Sequence, residues 1–260
     1  MLKMVVSDVD DTLLRKKLSD ELKDAVMHAN NNGIEFVLCS GRPTVNLRRL
    51  ATEFNDHGAT INYISGFNGS EIIDLNTDQV IKSNGFTNDE IDQIVSVLNE
   101  TEIDYGLYEG EFVVTNNIDN EYAIYEAELN GMNVKAHSDS IASNKILGFS
   151  IPEQTEAKIE LLKGHYPNLQ INKSKPFFIE ITKPGVNKAL PVVTLSELLA
   201  IDLEHVAVCG DGDNDLAMFE LEVGHKYVVE NGSDNLKKHA HKVIPSVDDN
   251  GVAKQLMELI

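Results

Sequence analysis

Two textures of apolar and polar positions alternate along the chain. Residues 4–8, MVVSD, are an apolar run with too few polar positions to alternate, the mark of a short strand buried on both faces. Ser19 then offers a helix cap ahead of Asp20 and Glu21; Leu22, Ala25, Val26 and Ala29 recur at helical spacing, and Gly33 closes the segment. IEFVLCS (34–40) predicts a second buried strand, Pro43 suits the first position of a helix through PTVNLRRLATEF, and NYIS (62–65) predicts a third strand. Strand–helix–strand–helix–strand is the signature of a parallel sheet covered on both faces.

From about Asn84 the texture changes. Thr87 and Glu90 are spaced as a capping box before Ile91, Ile94, Val95 and Leu98, which predicts a helix. Aromatic and β-branched runs follow, LYEGEFVVT (107–115), KILGFSI (145–151) and KPFFIEIT (175–182), separated by helical patterns near 120–130 and 153–163. They predict an α+β unit with an antiparallel sheet. After Pro184 and Gly185 the buried-strand pattern returns: a helix through LSELLA, the strand HVAVCGD, a helix from about Leu216, a YVV strand and a closing amphipathic helix. The predicted fold is an α/β core with a parallel sheet over 1–83 and 185–260, interrupted by an α+β domain over 84–184. There is no internal repeat and no low-complexity segment.

Composition narrows the partners. A net charge of −20 repels nucleic acid and anionic lipid, so neither is expected as a large-surface partner, and an anionic ligand needs a local positive site. The acidic cluster begins after seven residues, too soon for a signal peptide, and no apolar stretch approaches a membrane span. A cytoplasmic protein is expected, a monomer or small homo-oligomer. Two cysteines, Cys39 and Cys209, are too few for a disulfide framework, and each closes an apolar run as a core thiol would.

Chemistry concentrates at two strand ends. Asp8, Asp10, Asp11 and Thr12 end the first strand, and GDGDND (210–215) ends the strand HVAVC. In an open α/β sheet that end is where ligands bind. If the two strands are neighbours, roughly 4.8 Å apart, Asp8 and Asp211 face each other and call for a cation between them; an all-oxygen set suits Mg²⁺. Two aspartates one residue apart also allow one carboxylate to attack an electrophile while the other handles a proton. Ser40, Gly41 and Arg42 stand before a helix start, where a hydroxyl and free N–H groups can hold an anion. Lys188 opens the helix before the HVAVCGD strand, an unfavourable place for a cation in a purely structural role.

The set Asp8-x-Asp10-x-Thr12, Ser40, Lys188 and Gly210-Asp211-x-x-Asn214-Asp215 resembles the four motifs of the haloacid dehalogenase superfamily. SGRP after the second strand, FNG at 67–69 and the long insert between the second and third motifs resemble its Cof-type phosphatases, whose insert is a type IIB cap. The resemblance implies that Asp8 is a nucleophile forming an aspartyl-phosphate and that Asp10 serves as general acid and base. It implies Mg²⁺ held by Asp8, the Asp10 carbonyl and Asp211, with Asp215 in support, and Ser40, Lys188 and Asn214 gripping the phosphoryl oxygens or orienting the nucleophile. Gly41, Arg42 and Asn68 fall where the family lines its pocket. The implied substrate is a small phosphorylated metabolite, of the sugar-phosphate kind, hydrolysed beneath a closing cap. VGHKYVVENGS (223–233) departs from the GVAMGNA-like stretch of many relatives, so Lys226 and Tyr227 are expected to alter a pocket wall.

Other readings fare worse. GDGDNDLAMFELE matches an EF-hand at several ligand positions, but Leu216 stands where glycine is needed and a strand precedes it. No P-loop and no dinucleotide fingerprint is present, and the eight histidines form no metal pattern. Phe177 and Phe178 are expected in the core of the insert. A phosphomutase, a phospho-accepting receiver and a metabolite-binding module remain as alternatives, in that order.

Overall fold

In the computed structural model, which describes residues 1–260, the first apolar run becomes β1 (Met4–Ser7), with every residue buried. The chain then follows α1 (Asp20–Asn31), β2 (Glu35–Cys39), α2 (Thr44–His57) and β3 (Tyr63–Gly66). Ser19 Oγ caps α1 by accepting from the Leu22 N–H at 3.1 Å. Pro43 stands one residue outside α2, not at its first position: its ψ of 145° is extended and it serves as the cap. A hairpin follows that the sequence pattern does not reveal, β4 (Glu71–Asp74), antiparallel to β3, and β5 (Gln79–Ser83).

The unit Ser83–Val186 is compact in itself. It contains α3 (Asn88–Glu100), β6 (Tyr105–Glu109), β7 (Phe112–Thr115), α4 (Glu121–Leu129), β8 (Asn133–Ala136), β9 (Ile146–Phe149), α5 (Thr155–His165), β10 (Gln170–Lys175) and β11 (Phe178–Thr182). Both halves of the capping box at Thr87 and Glu90 form. The six strands order as β10-β11-β9-β6-β7-β8. The sheet is antiparallel except for β7 and β8, which run parallel because α4 carries the chain back between them. Ile91, Ile94 and Leu98 of α3 and Ile159 and Leu162 of α5 pack with Leu107, Ile146, Ile179 and Ile181 of the strands. A polar cluster is also buried in this unit. Tyr108 Oη and Asn130 Nδ2 both donate to Glu126 Oε1, at 2.7 and 2.9 Å, and Lys145 Nζ lies 3.1 Å from Glu180. Phe178 is buried, and Phe177 stacks on Tyr122 at 4.6 Å.

The second unit joins Met1–Lys82 to Asn187–Ile260. The returning chain forms α6 (Ala189–Leu199), β12 (Val206–Gly210), α7 (Leu216–Phe219), β13 (His225–Val229), α8 (Asp234–Lys237), β14 (Lys242–Ile244) and α9 (Gly251–Leu259). Pro191 is the third residue of α6, where its missing N–H is harmless. The helix expected from Leu216 is a single turn. Strand order is β14-β13-β12-β1-β2-β3-β4-β5, parallel from β14 through β3. Alternate residues of the central strands feed two apolar layers. Val5, Phe36, Leu38, Ala207 and Tyr227 pack with α1, α2 and α9; Met4, Val6, Val37, Val208 and Val228 pack with α6 and α7. β1 sits between β12 and β2, so Cys209 and Cys39 flank it as buried free thiols. No helix is long and apolar enough to cross a membrane.

Burial raises the Glu126 carboxyl above the ordinary range, with the Lys145 charge opposing. A raised folded value means that the native state prefers the protonated form. Stability is therefore full below the unfolded value and declines as pH rises through the folded one. Glu126→Gln keeps the acceptor and removes that penalty: it should melt higher than wild type at pH 8 and show no gain at pH 4 in calorimetric scans.

Candidate active site

The carboxyl ends of β1 and β12 lie side by side, with Ser7 in register with Cys209. The Asp8 N–H still donates to the Cys209 carbonyl at 2.9 Å, so Asp8 is placed by the sheet and not by a free loop. Beyond it the chain reverses: Leu13 N–H donates to Val9 O, and Asp11 takes a left-handed φ of 58°. That turn brings Thr12 back to the β12 side, where its hydroxyl donates to Asp211 Oδ1 at 3.0 Å.

Lys188, the cap residue of α6, is wholly buried and reaches between two carboxylates: Nζ lies 2.5 Å from Asp8 Oδ1 and 2.6 Å from Asp215 Oδ1. Asp215 is itself buried, and its Oδ2 accepts from the N–H groups of Asp211 and Gly212 at 2.9 and 3.0 Å. The carboxylates of Asp8, Asp211 and Asp215 lie within 4.8 Å of one another. With all ionised, these three charges against the Lys188 ammonium leave −2 (−3 + 1). The electrostatics respond accordingly. Burial pushes the Asp8 carboxyl up to about 8, the Lys188 charge opposing and Asp215 and Asp211 adding. Burial and the Asp215 charge raise Asp211 as well. For Lys188, burial disfavours the ammonium, yet Asp215 and Asp8 outweigh it and hold the proton firmly.

This donor set fits a hard divalent cation: three carboxylates within bridging distance, and two units of negative charge left uncompensated. The Asp10 carboxylate is not part of the group. Both its oxygens are taken by Arg42, Nε to Oδ2 at 2.8 Å and Nη2 to Oδ1 at 2.5 Å, while Arg42 Nη1 donates to Asn46 Oδ1 at 3.1 Å. Any share of Asp10 in a metal site therefore falls to its backbone carbonyl. Ser40 is buried, its hydroxyl accepting from the Arg42 N–H at 3.2 Å, and Asn68 N–H donates to the Ser40 carbonyl at 2.9 Å. Asn214 Nδ2 stands 3.5 Å from Asn68 Oδ1, and Gly41 lies against the Asn68 amide. The sequence-derived residues Asp8, Asp10, Ser40, Gly41, Arg42, Asn68, Lys188, Asp211, Asn214 and Asp215 thus converge in one unit.

Three supporting residues escaped the sequence reading. Asn46 braces Arg42; Ser233 donates its N–H to the Asp211 carbonyl at 2.7 Å and its hydroxyl to Asp213 at 2.8 Å; Asn231 Nδ2 donates to the Asp11 carbonyl at 2.7 Å. No local pattern marks them, because each acts across the fold. In the segment 223–233, Tyr227 is buried in the apolar layer under α9, where it lines a cavity with Val5, Cys209 and Leu256, whereas Asn231 and Ser233 support the acidic loops.

Lys188→Met would leave Asp8 and Asp215 buried without their cation. Urea denaturation in chelator should show a loss of about 3–5 kcal/mol, the range for breaking a buried ion pair, and added Mg²⁺ should recover part of it.

Comparison with known proteins agrees with this geometry. The family model described as haloacid dehalogenase-like hydrolase matches residues 5–256. A Streptococcus pyogenes serotype M6 protein named "Putative phosphatase" is 28% identical, covering 100% of this chain and 98% of its own. The 5-amino-6-(5-phospho-D-ribitylamino)uracil phosphatase YcsE of Bacillus subtilis is also 28% identical, with 98% of this chain and 94% of its own covered. The crystal structure of a haloacid dehalogenase-like hydrolase from Bacteroides thetaiotaomicron superposes with a TM-score of 0.91 at 27% identity, covering 100% of both chains. With its four motifs gathered at the ends of a parallel sheet, the chain belongs to the Cof-type haloacid dehalogenase-like hydrolases.

Proposed function

We propose that this enzyme is a Mg²⁺-dependent phosphatase that hydrolyses phosphomonoesters of small metabolites, probed first among sugar and sugar-alcohol phosphates, through an aspartyl-phosphate on Asp8. The observation that carries the reading is the buried set of Asp8, Asp211 and Asp215 around Lys188, whose residual charge of −2 (−3 + 1) matches one divalent cation. Asp8, Asp211 and Asp215 would hold the metal. A Mg²⁺ ion there supplies positive charge that favours ionised Asp8 and attracts the phosphoryl oxygens.

The chain's own groups would do the rest. Lys188 keeps Asp8 oriented and its charge countered, so that an anionic ester approaches with less repulsion. Ser40 and Asn214 offer donors to the phosphoryl oxygens. An Asp8 carboxylate oxygen bonds to phosphorus as the ester P–O bond breaks, and the leaving oxygen takes a proton from Asp10. Water then gives a proton to Asp10 and attacks the same phosphorus, releasing phosphate and restoring the Asp8 carboxylate. Both Asp10 oxygens rest on Arg42 in the ligand-free chain, so proton transfer requires the guanidinium to yield one of them. The substrate class is supported by a relative whose name places its phosphate on a ribityl chain.

Phosphate release should be measured on a panel of phosphorylated metabolites with wild type in Mg²⁺, wild type in chelator, and Asp8→Asn in Mg²⁺. Turnover is expected only in the first, and release surviving in Asp8→Asn would exclude the aspartyl-phosphate. Asp10→Asn should lower kcat by about 10²–10⁴, the usual contribution of a positioned acid–base group. A metabolite-binding module would be untouched by that change.

A further inference from the structure

The backbone of Arg42 is pinned on both sides of its Cα. Its N–H donates to Ser40 Oγ at 3.2 Å, and its carbonyl accepts from the Phe67 N–H at 3.0 Å. From there the guanidinium grips Asp10 through Nε and Nη2, at 2.8 and 2.5 Å. That ion pair lies near water: the Asp10 side chain is 49% exposed and that of Arg42 23%. An ion pair so placed is screened and has to order two side chains, so by itself it holds its geometry weakly.

The third nitrogen is held from the protein side. Nη1 donates to Asn46 Oδ1 at 3.1 Å, and Asn46 is only 9% exposed. Asn46 is the third residue of α2, with its N–H on the Pro43 carbonyl at 3.0 Å, and it is buried along with Leu47, Ala51 and Phe54 of the same helix. Asparagine is a poor helix former, and a buried amide costs free energy unless it is hydrogen-bonded. The helix alone would therefore favour alanine or an apolar residue at this position. The asparagine instead gives Arg42 a fixed acceptor one turn along the chain.

We propose that Asn46 is a positioning residue for proton transfer by Asp10. When one Asp10 oxygen carries the proton, Arg42 keeps its bond only to the other. With Nη1 on Asn46 the guanidinium is still tied at two points, and the carboxyl stays aimed. Without Asn46 a single bond remains, and both side chains swing. Asn46 acts through Arg42 and takes no part in bond making. The proposal rests on the phosphatase reading, with Asp10 as its acid–base group.

The leaving group supplies the readout. The oxygen of an alkyl phosphate departs with a proton, whereas p-nitrophenolate leaves without one. A misaligned Asp10 therefore slows the first ester and spares the second in kcat/KM, which covers the steps up to phosphoryl transfer onto Asp8. The alkyl probe is the member of the panel, ribitol 5-phosphate included, that wild type turns over fastest. Asn46→Ala should melt within about 4 °C of wild type, because alanine's helix propensity offsets much of the lost bond. Its kcat/KM should fall at least about tenfold on the alkyl probe and less than about threefold on p-nitrophenyl phosphate. Asn46→Ser, whose hydroxyl is too short to reach Nη1, should show the same split even if the alanine variant proves unstable. In an Arg42→Met background, adding Asn46→Ala should change either ester by less than about twofold, since the two residues act as one unit. An equal fall on both esters, no fall on either, or a further loss of about tenfold in the Arg42→Met background would overturn the proposal and leave the phosphatase reading standing. A wild type that hydrolyses no alkyl ester would overturn the phosphatase reading, and this proposal with it.

Discussion

A buried ammonium held between two buried carboxylates is the constraint around which this unit is arranged. Lys188 and Asp215 are inaccessible to water and Asp8 nearly so, which is a costly place for charge unless each group is paired and hydrogen-bonded. The pairing works only because three elements far apart in the chain deliver the groups to one point: the end of β1, the loop after β12 and the residue before α6. The backbone supplies the remaining partners, with the Asp211 and Gly212 N–H groups on Asp215. Even so the charges do not balance. Burial raises the Asp8 and Asp211 carboxyls, and the neighbouring carboxylates add to that rise.

Around that centre the loops are shaped by left-handed turns and by charge pairing. Asp11, Phe67 and Asn68 all occupy left-handed backbone regions within a few residues of the acidic and donor groups. Arg42 takes both oxygens of Asp10 while leaning on Asn46. The stretch 223–233 performs a supporting task, because Ser233 and Asn231 reach the loops that carry Asp211, Asp213 and Asp11.

Much of the fold was legible in the sequence wherever residues sit in the middle of something. β1, β2, β3, β12 and β13 are buried enough for apolar side chains on both faces, and their runs announce them. The helices α1 and α3 carry their caps as Ser19 and Thr87. The strands that escaped, besides β4, are β5, β8, β10 and β14, which are the four sheet edges. An edge strand has solvent along one side and need not be apolar, so QINKSK or NVKA gives no strand signal of its own.

The same physics divides the site. The sequence by itself determined the chemistry: aspartates in pairs at strand ends, a lysine at a helix start and a serine before another, because residue type and local spacing carry that information. Only the tertiary structure decided which carboxylates share a centre. It put Asp215 rather than Asp10 beside Asp8, gave Asp10 to Arg42, and recruited Asn46 and Ser233. Those choices depend on distances between segments separated by tens to hundreds of residues, and such distances exist only once the sheet has set its strand order.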